Sequence, residues 1–227
     1  MKDILMIWDV DGTLIDSRSC GRKAMDKAFD LVFGIKDAFK GIKMAGRLDA
    51  IIVEDALENK GIINQNEVKL FLDTYCRILD HMLTSGEEYV EILPGIQKIL
   101  ANGKDQHHVC HVLGTGNIER GARIKLKPHD LNRYFPVGGF GDERIERWQM
   151  IHQAIENAER HHGVEYTKEN IFVIGDTPLD IECGKILGIK SIAVSTGSHS
   201  PEELMAYTPD HLFANLEDTE NFLKILE

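Results

Sequence analysis

The apolar run Ile4-Leu5-Met6-Ile7-Trp8 ends in two aspartates one residue apart, Asp9 and Asp11, followed at once by Gly12 and Thr13. This stretch constrains the fold most, because it sets two carboxylates where an apolar strand meets its loop. Side chains of a strand alternate with period two, so Asp9 and Asp11 set out toward the same side. Open α/β sheets take their ligands at the carboxyl ends of their strands, which is where this pair falls. Two close carboxylates repel each other unless they share a proton or a cation. Carboxylate oxygens favour a hard ion, Mg²⁺ above all where the substrate is a phosphate. A surface turn would use Asp and Gly as well, so the rest of the chain has to decide between the two.

Two further stretches repeat the arrangement. Ile171-Phe172-Val173-Ile174 is a short apolar run that gives way to Gly175-Asp176-Thr177-Pro178-Leu179-Asp180, and His111-Val112-Leu113-Gly114 leads to Thr115, Gly116 and Asn117. Three strand ends thus carry acid, hydroxyl and acid, in that order. With these residues in this order, the sequence resembles the haloacid dehalogenase-like (HAD) hydrolase superfamily along its whole length. Asp9-Val10-Asp11-Gly12-Thr13 is similar to the first family motif, Thr115 to the second, and Gly175 to Asp180 to the fourth. The third motif is a Lys or Arg that steadies the phosphoryl charge. Here Gly138-Gly139-Phe140-Gly141-Asp142 and the arginines after it resemble a variant of that motif. Arg147 suits the role best because it leads into the helical pattern of Ile151, Ala154, Ile155 and Ala158; Arg144 is the fallback. The family more often places Lys-Pro at this point.

The resemblance implies a Mg²⁺-dependent phosphatase acting on a small phosphorylated metabolite. Asp9 then attacks phosphorus and forms an aspartyl-phosphate, while Asp11 protonates the leaving oxygen and later deprotonates the attacking water. The metal is held by the Asp9 carboxylate, the Asp11 backbone carbonyl and Asp176, with Asp180 either a further ligand or a support for the others. Thr115, nearby backbone N–H groups and Arg147 cradle the phosphoryl oxygens. Gly12 and Gly116 admit the backbone close to the phosphate, with Asn117 beside them. Gly46-Arg47-Leu48-Asp49 resembles a family loop that reaches into the closed site, where Arg47 meets the phosphate or the remote end of the substrate. Asp11 points to phosphate esters, because the family's dehalogenases lack an Asp there and its phosphonate hydrolases carry Ala. A phosphosugar mutase similar to β-phosphoglucomutase is the alternative. A catalytically silent binding protein on the same fold is a third, disfavoured because no essential acid is missing.

Between the first strand and about residue 92 the patterns are helical. Ser17 or Ser19 is placed to cap a helix carrying Ala24, Ala28, Leu31 and Val32 on one face. A second helix covers 48–60 and stops at Gly61. In a third, Val68, Phe71, Leu72, Tyr75, Ile78, Leu79 and Met82 keep a 3.6-residue period. In the family such an insertion is a cap that closes over the active site. After Leu93-Pro94-Gly95 the chain alternates: helix 95–102 ending at Gly103, strand 108–113, helix 118–127, strand 136–140, helix 147–161, strand 171–174, helix 179–187 and strand 189–195. Ser200-Pro201-Glu202-Glu203 is a capping box. Alternation of this kind implies right-handed crossovers. The expected fold is therefore α/β: a doubly wound parallel sheet built from residues 1–15 and 92–227, with an α-helical cap inserted as 16–91.

A chain of 227 residues accommodates one large domain with such an insertion. The net charge of −11, with no basic stripe to offset it, argues against nucleic acid as a partner. It also repels anionic substrates at long range, so a phosphate site needs local Mg²⁺, Lys or Arg. The longest apolar run is too short to span a bilayer, and Asp9 and Asp11 interrupt the N-terminal apolar segment too early for a signal peptide. Cysteines at 20, 76, 110 and 183 form no Cys-x-x-Cys pair and are expected to be free thiols in a reducing cytoplasm. The oligomeric state leaves no mark in the sequence.

His107-His108-Val109-Cys110-His111 looks like a metal cluster. Strand alternation, however, puts His108 and Cys110 on one side and His107 and His111 on the other, so structural histidines are expected. His161-His162 belongs at a helix end before Gly163, where imidazoles suit the dipole. Gly114-Thr115-Gly116 hints at a dinucleotide fingerprint, but Glu119 stands at its third glycine position.

Overall fold

The structure, a computed structural model, describes residues 3–62, 65–105 and 109–226. In chain order the strands are β1 (Ile4–Trp8), β2 (Ile15–Asp16), β3 (Glu91–Ile92), β4 (Val109–Thr115), β5 (Gly138–Phe140), β6 (Ile171–Gly175), β7 (Lys190–Val194) and β8 (His211–Phe213). Six of them form one parallel sheet in the order β5-β4-β1-β6-β7-β8. The chain builds outward on one side of β1 and then crosses to the other, which opens a crevice at the carboxyl end of β1. Trp8 pairs in register with Leu113 of β4 and Ile174 of β6. Asp9, Thr115 and Asp176 are thereby brought to nearly one level at the sheet edge.

The helices are α1 (Cys20–Phe33), α2 (Asp49–Glu58), α3 (Gln65–Ser85), α4 (Ile96–Asp105), α5 (Glu119–Leu126), α6 (Arg147–His162), α7 (Pro178–Leu187), α8 (Pro201–Met205) and α9 (Thr219–Leu223). β1 is buried throughout and divides its side chains between two cores. Ile4, Met6 and Trp8 join residues of α1, α3, α4 and α5, whereas Leu5 and Ile7 pack with Ile151, Ala154 and Ala158 of α6. The Trp8 indole donates to His111 Nδ1 at 3.0 Å, so His111 is a core histidine, as the alternation predicts. His107 and His108 lie outside the described residues. Cys20, Cys76, Cys110 and Cys183 are free. No helix among the described residues is long and apolar enough to cross a membrane.

α6 begins at Arg147 and ends at Gly163, whose φ of 70° closes the helix after His161 and His162. Its start is pinned by the Glu146 N–H, which donates to Gln149 Oε1 at 2.9 Å. The glycines of β5 let α6 lie against the sheet, since a Cβ on Gly139 would overlap the Met150 carbonyl oxygen. The Ser200 capping box forms as expected.

Several boundaries differ from the sequence reading. Neither Ser17 nor Ser19 caps α1 through its side chain: Arg18 and Ser19 both have positive φ, 48° and 59°, which turns the Ser19 hydroxyl away. Leu31 is 72% exposed, because Phe29, packed against Phe39 and Phe71, takes the inner face. α4 runs past Gly103 to Asp105. β2 pairs antiparallel with β3, setting Asp16 opposite Glu91, so the helical stretch leaves and returns at one point. Two-residue strands are too short to show alternation in a sequence.

Candidate active site

The acidic cluster is assembled from two loops and one helix start. Asp9, Asp176 and Asp180 are all buried and offer carboxylate oxygens within 4.8 Å of one another. Gly12, at φ +81°, folds the first loop toward the fourth-motif loop, and a Cβ there would sit 2.7 Å from Asp176 Oδ2. Arg147 enters from the first turn of α6. Its Nε and Nη2 donate to Asp180 Oδ1 at 3.1 and 2.6 Å, Nη2 stands 3.5 Å from Asp9 Oδ2, and Nη1 donates to the Gly46 carbonyl at 2.8 Å. Asp180 Oδ2 accepts from the Thr177 N–H at 3.2 Å and its hydroxyl at 2.7 Å, closing the capping box of α7. Both Asp180 oxygens are thus used by the protein itself. Asp176 Oδ1, by contrast, is buried without a hydrogen-bond partner.

Electrostatics follow from that geometry. Burial, reinforced by Asp9 and Asp180, pushes the Asp176 carboxyl up to about 8. Asp9 is pushed up to about 6 by burial, against the opposing pull of Arg147. Burial also works against the charge on Arg147, but Asp180 and Asp9 outweigh it and raise its pKa. Three buried acids facing one guanidinium leave a deficit of positive charge. An orphaned carboxylate oxygen beside Asp9 suits a hard cation, which would be held by Asp9 and Asp176.

The second acid of the first motif sits in a different network. Asp11 Oδ2 accepts from Lys125 Nζ at 2.6 Å and from Asn117 Nδ2 at 2.8 Å. Asn117 Oδ1 accepts from Lys125 at 2.7 Å, and its amide also donates to Thr115 Oγ1 at 2.9 Å. Burial would raise the Asp11 pKa, yet Lys125 overrides it and holds the carboxyl below its ordinary value. Asp9, Asp11, Asn117, Lys125, Arg147 and Asp176 border a cavity of about 640 Å³. Met25, Ile42, Met44, Ile52 and Tyr75 supply an apolar wall. The start of α2 is bonded across to the sheet loops: the Asp49 N–H donates to the Gly116 carbonyl at 2.7 Å, the Ala50 N–H to the Gly141 carbonyl at 3.0 Å, and Asp49 Oδ2 accepts from the Ile118 N–H at 2.9 Å. A groove of about 670 Å³ between α3 and α5 touches none of the motif residues, and its cations are largely paired, Arg120 with Asp73 and Lys127 with Asp80.

The sequence model of the haloacid dehalogenase-like hydrolases matches residues 6–194. The chain belongs to this family. The D-glycero-D-manno-heptose-1,7-bisphosphate 7-phosphatase of Chlorobaculum tepidum is 39% identical to it over 179 residues, which is 65% of this chain and 89% of that relative. The phosphoglycolate phosphatase of Aliivibrio fischeri is 24% identical over 212 residues, covering 92% of each. Among solved structures, CbbY from Rhodobacter sphaeroides, in complex with phosphate, superposes with a TM-score of 0.70 at 15% identity, over 95% of this chain and 96% of that one. With these relatives, this HAD-like hydrolase is a phosphate-ester hydrolase and a phosphatase.

In this hydrolase the cavity brings together Asp9, Asp11, Gly12, Arg47, Gly116, Asn117, Arg147 and Asp176, all anticipated from sequence. Thr115 and Asp180 are buried and bonded to Asn117 and Arg147 respectively. Arg147 rather than Arg144 reaches the acids; Arg144 is exposed and pairs with Glu54 at 2.9 Å. Arg47 borders the cavity while its guanidinium pairs with Asp55 at 2.7 Å. Lys125 and Tyr75 were not anticipated as parts of the site, and Asp49 was anticipated only as a member of the loop 46–49. For Lys125 a signal existed: it lies on the buried stripe of α5 with Gly121, Ala122 and Leu126, where a lysine needs an acidic partner.

Proposed function

We propose that the protein is a Mg²⁺-dependent phosphatase that hydrolyses a small phosphorylated metabolite through an aspartyl-phosphate on Asp9. The observation that carries the reading is the buried pair Asp9 and Asp176, with its unpartnered oxygen, next to Arg147 and on the same cavity as Asp11. Asp9 attacks phosphorus in line, forming its O–P bond as the ester P–O bond breaks. Asp11, once protonated in the complex with substrate, gives that proton to the departing oxygen and, again a carboxylate, takes one from the water that attacks the aspartyl-phosphate. Phosphate leaves and Asp9 is regenerated. Arg147 and the N–H groups of the Gly116 and Asn117 loop stabilise the phosphoryl oxygens. When bound, Mg²⁺ neutralises charge on the acids and the phosphoryl group; the Asp9 and Asp176 carboxylates and the Asp11 backbone carbonyl would hold it.

Asp180 then acts chiefly through Arg147, a reading supported by the protein hydrogen bonds that both its oxygens accept. Residues 16–91 form a cap over a core of 1–15 and 92–227, consistent with the pairing of Asp16 and Glu91 and with the α2 bonds to the Gly116 and Gly141 carbonyls. Arg47 on this cap faces the remote end of the substrate. Four free cysteines suit a reducing compartment such as the cytoplasm.

Phosphate release from a panel of small phosphorylated metabolites, with and without Mg²⁺, tests the reading. Sustained release in the wild type is expected, and Asp9→Asn should lose at least about 10³-fold, as loss of a covalent nucleophile does. Metal-independent release, or an equally active Asp9→Asn, contradicts it. An isomerised sugar phosphate without net release would identify a mutase.

A further inference from the structure

We propose that Lys125 and Asn117 are positioning residues that hold the Asp11 carboxyl in its orientation toward the leaving group. The inference rests on the phosphatase reading and extends it. Lys125 is 4% exposed, and desolvating an ammonium is costly unless it is paired. An apolar side chain on this buried stripe of α5, beside Ala122 and Leu126, would avoid that cost. The lysine instead spans to Asp11 at 2.6 Å and to Asn117 at 2.7 Å.

Two donors converge on Asp11 Oδ2, Lys125 Nζ at 2.6 Å and Asn117 Nδ2 at 2.8 Å, while the Ser17 hydroxyl adds to the hold on the charged carboxyl and Oδ1 is closed to solvent. The carboxyl therefore cannot turn without breaking both bonds, and its orientation at the cavity is fixed by this pair of donors. A Cβ on Gly21 of α1 would lie 3.0 Å from Lys125 Nζ, and one on Gly121 would lie 3.1 Å from the Tyr75 hydroxyl, so the ammonium is enclosed by α1, α3 and α5. Asn117 is in turn held by Thr115, through its 2.9 Å bond to Oγ1. The second-motif threonine thus orients the first-motif acid through one asparagine.

A residue that acts through the proton donor matters most where the leaving oxygen most needs a proton. An alkyl phosphate releases a strongly basic alkoxide, whereas p-nitrophenyl phosphate releases a stable phenolate. The test measures kcat/KM, which reports steps up to leaving-group departure, for both substrates in wild type, Lys125→Met and Asn117→Ala. Thermal melting checks that each variant is folded. Each variant is expected to lose at least about tenfold more on the alkyl than on the aryl substrate, within the range of general acid catalysis. In an Asp11→Asn background, Lys125→Met should add less than about threefold on the alkyl phosphate, because the group it positions is gone. Equal losses on the two substrates, or undiminished loss in the Asp11→Asn background, overturn the inference. Asn117→Ala removes a donor from the same oxygen and decides the question if Lys125→Met does not fold. A wild type that releases phosphate from neither substrate would overturn the phosphatase reading, and this inference with it.

Discussion

Arg147 and Asp180 illustrate how single residues divide the work of the acidic cluster. Arg147 commits its fork to Asp180 and still stands 3.5 Å from Asp9, so one guanidinium offsets two buried carboxylates. Arg147→Met should reduce activity by about 10²–10³-fold, since a preorganised positive charge is lost. It should also reduce stability by about 3–5 kcal/mol, because it leaves buried acids unpaired; denaturant unfolding measures the second effect. Arg147→Lys should recover only part of both, for an ammonium cannot reproduce the forked contact. Asp9, Asp11, Asp176 and Arg147 were legible because strand ends and helix starts mark them locally. Lys125 carried only the signal of a lysine on a buried stripe, since the partner of its ion pair lies 114 positions away. The role of Asp180 was ambiguous for the same reason, as only the fold shows that Arg147 and Thr177 occupy its oxygens.

At the scale of elements, the site depends on how closely α6 lies against β5 and β4. Gly139 makes that approach possible, because any Cβ there meets the Met150 carbonyl. Gly139→Val should push α6 outward and cost about 1–3 kcal/mol by overpacking. The same shift withdraws Arg147, so kcat should fall even in the folded fraction; thermal melts and steady-state rates on one preparation separate the two. Periodicity found the long elements well: α3 and α6 appear where their apolar stripes predict, and β1, β4 and β6 where apolar runs end in chemistry. It missed β2, β3, β8 and α9, which span two to five residues and carry no period to read. The start of α1 was misread because a serine before a helix caps it only in extended backbone, and Ser19 is left-handed.

For the whole molecule, the balance of charge links metal, pH and stability. Asp9 and Asp176 ordinarily ionise near 3.8, and the fold raises them to about 6 and about 8. Raised carboxyl values mean that the folded state holds protons the unfolded state has released. Stability is therefore full below about pH 4 for these groups and is lost as pH rises through 6 and then 8. Metal-free protein should melt several °C lower at pH 8.5 than at pH 6, at about 2–4 °C per kcal/mol for a chain of this size. Added Mg²⁺ should raise the melting temperature more at pH 8.5 than at pH 6, because it compensates the same carboxylates. Equal Mg²⁺ shifts at both pH values would place the ion elsewhere. The central claim, that Asp9 itself carries the phosphoryl group, is tested most directly by reductive trapping. Enzyme turning over p-nitrophenyl phosphate with Mg²⁺ is quenched with borohydride, which converts an acyl phosphate to homoserine, and the peptide containing residue 9 is weighed. Homoserine at position 9, dependent on both substrate and Mg²⁺, is the expected result. Active turnover with Asp9 unmodified and the mark on another acid would contradict the account.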